Sequence, residues 1–163
     1  MKKFAKVFLS MNILLSGLTI AQMTQPNTAE AAIKPYYVYH GSIDNQANFL
    51  LSNAFITAVK HNNVTFNNVK MDLASVKGVK MKTMQGKLIH DHYFTFYNHK
   101  KTAFSVSFYL NHSLPLKAVK KAYGKYPMKY TKFTNQYDYN VNGKHVIFSV
   151  EDGYASHVFL GNR

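Results

Sequence analysis

The chain of 163 residues has no cysteine, one arginine (Arg163) and only seven acidic residues against twenty basic ones. Without cysteine there is no disulfide scaffold, no thiol nucleophile and no cysteine-bound structural zinc. With one arginine the positive charge is almost all lysine, which meets phosphate as a mobile point charge and lacks the fork that reads guanine edges. Any polyanion held by such a chain should be held with little regard to its sequence. Beyond residue 31 the acids are Asp44, Asp72, Asp91, Asp138, Glu151 and Asp152, of which Asp44 and Asp152 read as a helix cap and a turn. No nucleophile elbow, zincin helix or phosphate-cradling glycine loop occurs and no cofactor is expected, although the residues by themselves leave a carboxylate pair or a Ser-His-Asp arrangement open.

Long apolar runs are scarce too. The one run, Val7 to Ile20, is broken by Ser10, Asn12, Ser16, Gly17 and Thr19, and it follows Lys2, Lys3 and Lys6 and precedes small residues at Ala29 and Ala31. This is the layout of a secretory signal peptide over residues 1–31, cleaved after Ala31, rather than a membrane span. The expected mature protein is a single secreted domain, residues 32–163, with no stable membrane insertion. Without Lys2, Lys3, Lys6 and Glu30, seventeen basic residues face six acidic ones, a net of +11. A domain of this size buries roughly two-thirds of the surface its unfolded chain exposes, enough for one core without staples.

Local patterns predict an α+β fold: an antiparallel sheet with two helices packed on it. "IKPYYVYHG" reads as a first strand, at an edge or delayed by Pro35. Ala47, Leu50, Leu51, Ala54, Phe55, Ala58 and Val59 form one helical face behind an Asp44 cap. "VTFNNVKM" reads as a short strand or two, and the lysine-rich stretch up to residue 87 as loop with some strand, broken by Gly78 and Gly86. "HSLPLKAVKKAYGK" predicts a second helix capped by Ser113, with Leu116, Val119 and Tyr123 inward and Gly124 as its stop. Asn142-Gly143 and Asp152-Gly153 predict a three-stranded meander pairing Tyr139 with Val146 and Val150 with Ala155.

The stretch "LIHDHYFTFYNHKKTAFSVSFYL", residues 88–110, reads as a hairpin. Parity places Leu88, His90, His92, Phe94 and Phe96 on one side of its first strand. Phe96 would face Phe104, Phe94 would face Val106 and His92 would face Phe108, with a short loop at His99, Lys100 and Lys101. Tyr93, Thr95, Tyr97, Ser105, Ser107 and Tyr109 then point outward. His90 and His92 have a spacing that metal sites use, but a third ligand such as His112 or His157 would have to converge. They are also the residues a metal-free nuclease would use as acid and base. The plainer reading is two histidines at the edge of a core, with no metal.

The candidate nucleic-acid surface comprises Lys77, Lys80, Lys82 and Lys87, Lys100 and Lys101, and Lys117, Lys120, Lys121, Lys125, Lys129 and Lys132, with Tyr93, Tyr97 and Tyr109 as stacking groups for unpaired bases. A solvated helix face and tyrosines chosen for strand formation would look the same. The segment 31–71 resembles the immunodominant staphylococcal antigen B family in Pro35-Tyr36-Tyr37, Tyr39, Gly41, Ala47-Asn48-Phe49, Phe55-Ile56, Ala58, Lys60, Asn63-Val64 and Phe66-Asn67. A second block, Ser113 with Leu116-Lys117 and Lys121-Ala122-Tyr123-Gly124-Lys125, lies at the matching distance. The resemblance implies an extracellular, non-enzymatic protein that binds DNA or RNA without sequence specificity, and it carries no catalytic motif. Anionic wall polymers are further partners of such a surface. The alternative class is an adhesion or immune-interaction module binding a host protein or an anionic glycan.

Overall fold

Pro35 cannot donate to a ladder, and in the computed structural model the first strand, β1 (Tyr37–Tyr39), begins after it. The structure describes residues 34–43, 47–74, 83–97 and 100–162, all within the unit Ile33–Arg163. The signal segment, the Asp44 cap, Gly78, His99 and the candidate lysines Lys77, Lys80 and Lys82 lie outside the described residues.

The first helical pattern is divided at Ser52. Residues Ala47–Leu51 form a 3-10 turn and α1 runs Asn53–Lys60, because Ser52 is extended (φ −71°, ψ 141°) and its hydroxyl accepts the Phe55 amide at 3.2 Å. Ser52 is therefore the α1 cap, and Ala54, expected on the buried face, is exposed while Ile56 is buried. β2 (Val64–Phe66) returns parallel to β1, and β3 (Val69–Lys70) folds back antiparallel. Asn67 and Asn68, with φ of +47° and +64°, make the two-residue turn between them.

The second sheet contains β4 (Met84–Ile89), β5 (His92–Tyr97), β6 (Ala103–Pro115), β7 (Met128–Thr131), β8 (Gln136–Val141), β9 (Lys144–Glu151) and β10 (Tyr154–Gly161), in the order β4-β5-β6-β10-β9-β8-β7. Helix α2 (Leu116–Tyr123) joins β6 to β7. The meander turns at Asn142-Gly143 and Asp152-Gly153 all have positive φ, Tyr139 lies opposite Val146 and Val150 opposite Ala155. A fourth strand, β7, adds to its edge.

Four local readings are corrected. Residues 88–97 are not one strand: His90, at φ +56°, turns the chain so that Ile89 lies opposite His92. Gly86 does not break the chain but sits inside β4, opposite Thr95. Phe94 does face Val106, but an irregularity between Thr95 and Phe96 sets Phe96 against Ala103 instead of Phe104. Ser113 belongs to β6, and α2 begins after Pro115 without a side-chain cap.

Cross-strand partners share a face, which sorts the large sheet into two sides. The inner side holds the row Phe94, Val106, Leu160, Val146 and Tyr139, and a second row of Phe108, Val158, Phe148, Tyr137 and Tyr130. The small sheet packs here, with the Phe66 ring 6.1 Å from that of Phe108, and α1 follows through Phe55, 6.2 Å from Phe66. Helix α2 packs here through fully buried Tyr123, whose ring lies 5.2 Å from Tyr139 and 5.3 Å from Phe148. The Tyr123 hydroxyl donates to the Leu50 carbonyl at 2.8 Å, tying α2 to the 3-10 turn, and burial pushes that phenol well above its ordinary pKa.

Candidate functional site

From Lys117 to Lys132 the sequence places six lysines and no carboxylate, and all six are exposed. On α2 the apolar positions Val119 and Tyr123 are buried, so Lys117, Lys120 and Lys121 are left on its solvent side. The Lys120 ammonium stands 4.9 Å from the centre of the Tyr137 ring on β8, and that ring lies 4.8 Å from Tyr130 on β7. Helix, β8 and the edge strand β7 are thereby joined into one flank on the inner side. Lys125 follows α2 and stands 5.3 Å over the Tyr126 ring, while Lys132 opens the β7–β8 turn. Lys129 is exposed on β7 but belongs to the outer row through Asp138.

Two residues of this flank escape sequence reasoning. Phe133, in the β7–β8 turn beside Lys132, is 99% exposed, and Tyr130 is 45% exposed. The alternation of lysine with Tyr126, Tyr130 and Phe133 is the signal that would have found them. At the far end of the helical layer, Lys144 Nζ donates to the Lys60 carbonyl at 3.2 Å, bringing two further lysines together beside the C-terminus of α1.

The other candidates lie elsewhere. Lys87 is exposed on edge strand β4, and Lys100 and Lys101 are exposed before β6. Tyr93 and Tyr109 are 51% and 80% exposed on the outer side, and Tyr97 is half-buried on β5. The row from Tyr93 runs through Ser107, Phe159, Ile147 and Asp138 to Lys129, five strand spacings or about 24 Å across. The α2 lysines and the outward tyrosines expected to cooperate are thus on opposite sides of the sheet.

Three of the acids, Asp72, Asp91 and Asp138, are engaged within the fold. Asp91 accepts the Ile43 amide at 2.6 Å and lies 2.8 Å from His92 Nδ1, a contact with the distance of an ion pair but without hydrogen-bond geometry. Asp138 is held 2.8 Å from His145 Nδ1, and Asp72 accepts from the Asn62 amide group at 3.1 Å. Neither of these ion pairs involves a lysine. His92 is fully buried, while His90 sits exposed in the turn, so the two histidines do not share a strand face. No group of three metal-ligating side chains gathers among the described residues.

The sequence model of immunodominant staphylococcal antigen B matches residues 36–160 of this chain. Immunodominant staphylococcal antigen B of Staphylococcus aureus strain USA300 is 35% identical over 131 residues, covering 77% of this chain and 71% of that protein. The protein of the same name from strain NCTC 8325 / PS 47 matches to the same extent. No solved structure matches the chain. By the span of the family match and the identity to these relatives, the chain belongs to the immunodominant staphylococcal antigen B family.

Proposed function

We propose that this is a secreted, non-enzymatic protein that binds extracellular nucleic acids without sequence specificity, and that the binding surface is the flank made by α2, β7 and the β7–β8 turn. The observation that carries the reading is the run Lys117 to Lys132, six exposed lysines without an intervening carboxylate, set beside exposed Tyr130 and Phe133. Lysine neutralises phosphates and releases their counterions, a favourable contribution that does not depend on base identity. Exposed rings beside it offer stacking to unpaired bases, each contributing on the order of 1–3 kcal/mol. Anionic wall polymers satisfy the same lysines. Secretion rests on the amino-terminal signal pattern. No helix among the described residues is long and apolar enough to cross a membrane.

The test is a salt titration against labelled DNA duplexes of unrelated sequence, comparing the protein with its Lys117→Glu, Lys120→Glu, Lys121→Glu triple variant. The expected result is sequence-independent binding whose log K falls steeply with log salt. In the variant that slope should shrink by about 0.9 for each phosphate that is no longer neutralised. Unchanged affinity in a folded variant would move the binding surface away from α2. Absence of binding even at low salt would leave host-protein recognition as the better account of the surface.

A further inference from the structure

Both helices pack on the inner side of the large sheet, and the outer side has a relief of its own. Two glycines make it flat. Gly86 on β4 and Gly161 on β10 lie in one cross-strand row, linked through Thr95 and Ser105. A Cβ at Gly86 would fall on the Tyr93 phenol, and a Cβ at Gly161 would come within 2.8 Å of the Phe159 ring and Ser105. Tyr93 and Phe159 therefore lie along the sheet across glycines, where any larger residue would make them stand up.

A bulge then makes the surface concave. Between Ala155, opposite Leu114, and His157, opposite Tyr109, β10 has only Ser156, whereas β6 has four residues. His112 takes φ +47° in that excess, and Ser113 Oγ is buried without a hydrogen-bond partner. Such irregularities in a central strand pair re-aim side chains and cluster beside binding sites. Here they open a depression of about 380 Å³ between Tyr109, Asn111, His112 and Glu151. It shares Asp91 and Tyr109 with a second of about 380 Å³ beside Tyr93 and Leu88, and this shares His157 with a third of about 190 Å³ at Gln136 and Phe159. The three form one trough.

The charge of the trough selects its occupant. No lysine lines it among the described residues, whereas Asp91 and Glu151 do, in a chain with a large positive excess. Carboxylates repel a phosphate backbone but accept strongly from hydroxyl groups. Exposed rings, that of Tyr93 laid over Gly86 and that of Tyr109 4.9 Å from the His157 ring, flanked by carboxylate, amide and imidazole groups, match a sugar ring, which presents C–H groups on one face and hydroxyls around its edge. We propose that the trough binds a neutral oligosaccharide, with sugar rings laid on Tyr93 and Tyr109 and hydroxyls donating to Glu151. The site is separate from the lysine flank and does not depend on it.

Titration of the protein with cellohexaose, maltohexaose and chitohexaose, followed by NMR of the tyrosine rings and backbone amides, tests this. At least one of the three should shift Tyr93 and Tyr109, with an affinity that changes less than twofold between 0.1 and 1 M salt. Tyr109→Ala, at an 80% exposed position, should weaken binding at least fivefold, and the α2 lysine variant should leave it unchanged. Silence with all three sugars, or shifts confined to other surfaces, would overturn the proposal. So would a deoxythymidine decamer that shifts the same rings and displaces the sugar, since that result assigns the face to nucleobases.

Discussion

The His92 imidazole is enclosed by the rings of Tyr39, Phe66, Phe94 and Phe108, at 5.0 to 6.0 Å between centroids, and its Nε2 has no hydrogen-bond partner. Burial in these surroundings lowers its pKa, and neighbouring His90 acts in the same direction; Asp91 raises it without reversing the shift. Between the folded and unfolded pKa values the unfolded chain takes up more protons than the folded one. The contribution is therefore fully present above the unfolded value of about 6.5 and is lost as pH falls below it. Chemical denaturation at pH 7.5 and 5.5 should show the protein losing stability at the lower pH, and His92→Phe, which fits the aromatic surroundings, should reduce that loss. An equal loss in the variant would place the pH sensitivity elsewhere. His157 is also lowered by burial, so it remains in both proteins as a common background.

Among the elements, the β8–β9–β10 meander depends most directly on local chemistry. Gly143 and Gly153, at φ +79° and +81°, occupy the second positions of two-residue turns whose twist matches the strands. The space beside Gly143 is open, so a Cβ there meets nothing and its cost is purely conformational. Gly143→Ala should destabilise the fold by about 1–2 kcal/mol, measured by urea denaturation, without changing the proposed binding surfaces. A neutral result would mean that the turn relaxes into another type. Helix α2 contrasts with this. Pro115 starts it with no side-chain hydrogen bond, and what secures it is tertiary: the Tyr123 ring against Tyr139 and Phe148, and its hydroxyl on Leu50.

Across the whole molecule the sheet separates two chemistries. Lys117, Lys120 and Lys121 with Tyr130 and Phe133 occupy the α2–β7 flank, and Tyr93 and Tyr109 lie with Asp91 and Glu151 on the outer side, which Lys129 joins only at its β7 edge. Stacking on unpaired bases should therefore depend on Phe133 and Tyr130. Phe133→Ala should weaken single-stranded DNA binding by roughly 5- to 150-fold, the equivalent of about 1–3 kcal/mol, and duplex binding much less. Tyr109→Ala should alter neither by more than about twofold. Fluorescence anisotropy with single strands and duplexes of equal length distinguishes the cases, and a large Tyr109 effect would require a strand that wraps an edge of the sheet.

The extent to which these features were legible follows from the range of the forces behind them. Charge is a sum over residues, so the lysine excess and the acid-free run 117–132 are properties of the sequence by itself. Turns with positive φ are local, so Asn142-Gly143 and Asp152-Gly153 announce their hairpins. The His90–Asp91 turn is announced only faintly: it lacks glycine, and its one signal is the run of three polar residues His90, Asp91 and His92 between apolar stretches. That moved Leu88 from the side of Phe94 to the side of Tyr93. The opposition of lysines and tyrosines, the rings laid over Gly86 and Gly161, and the bulge at Ser156 were decided only by tertiary structure. The opposition and the bulge depend on strand pairs joined across long stretches of chain, and the ring over Gly86 on the glycine-free β4–β5 turn; register, and not composition, assigns these side chains their face.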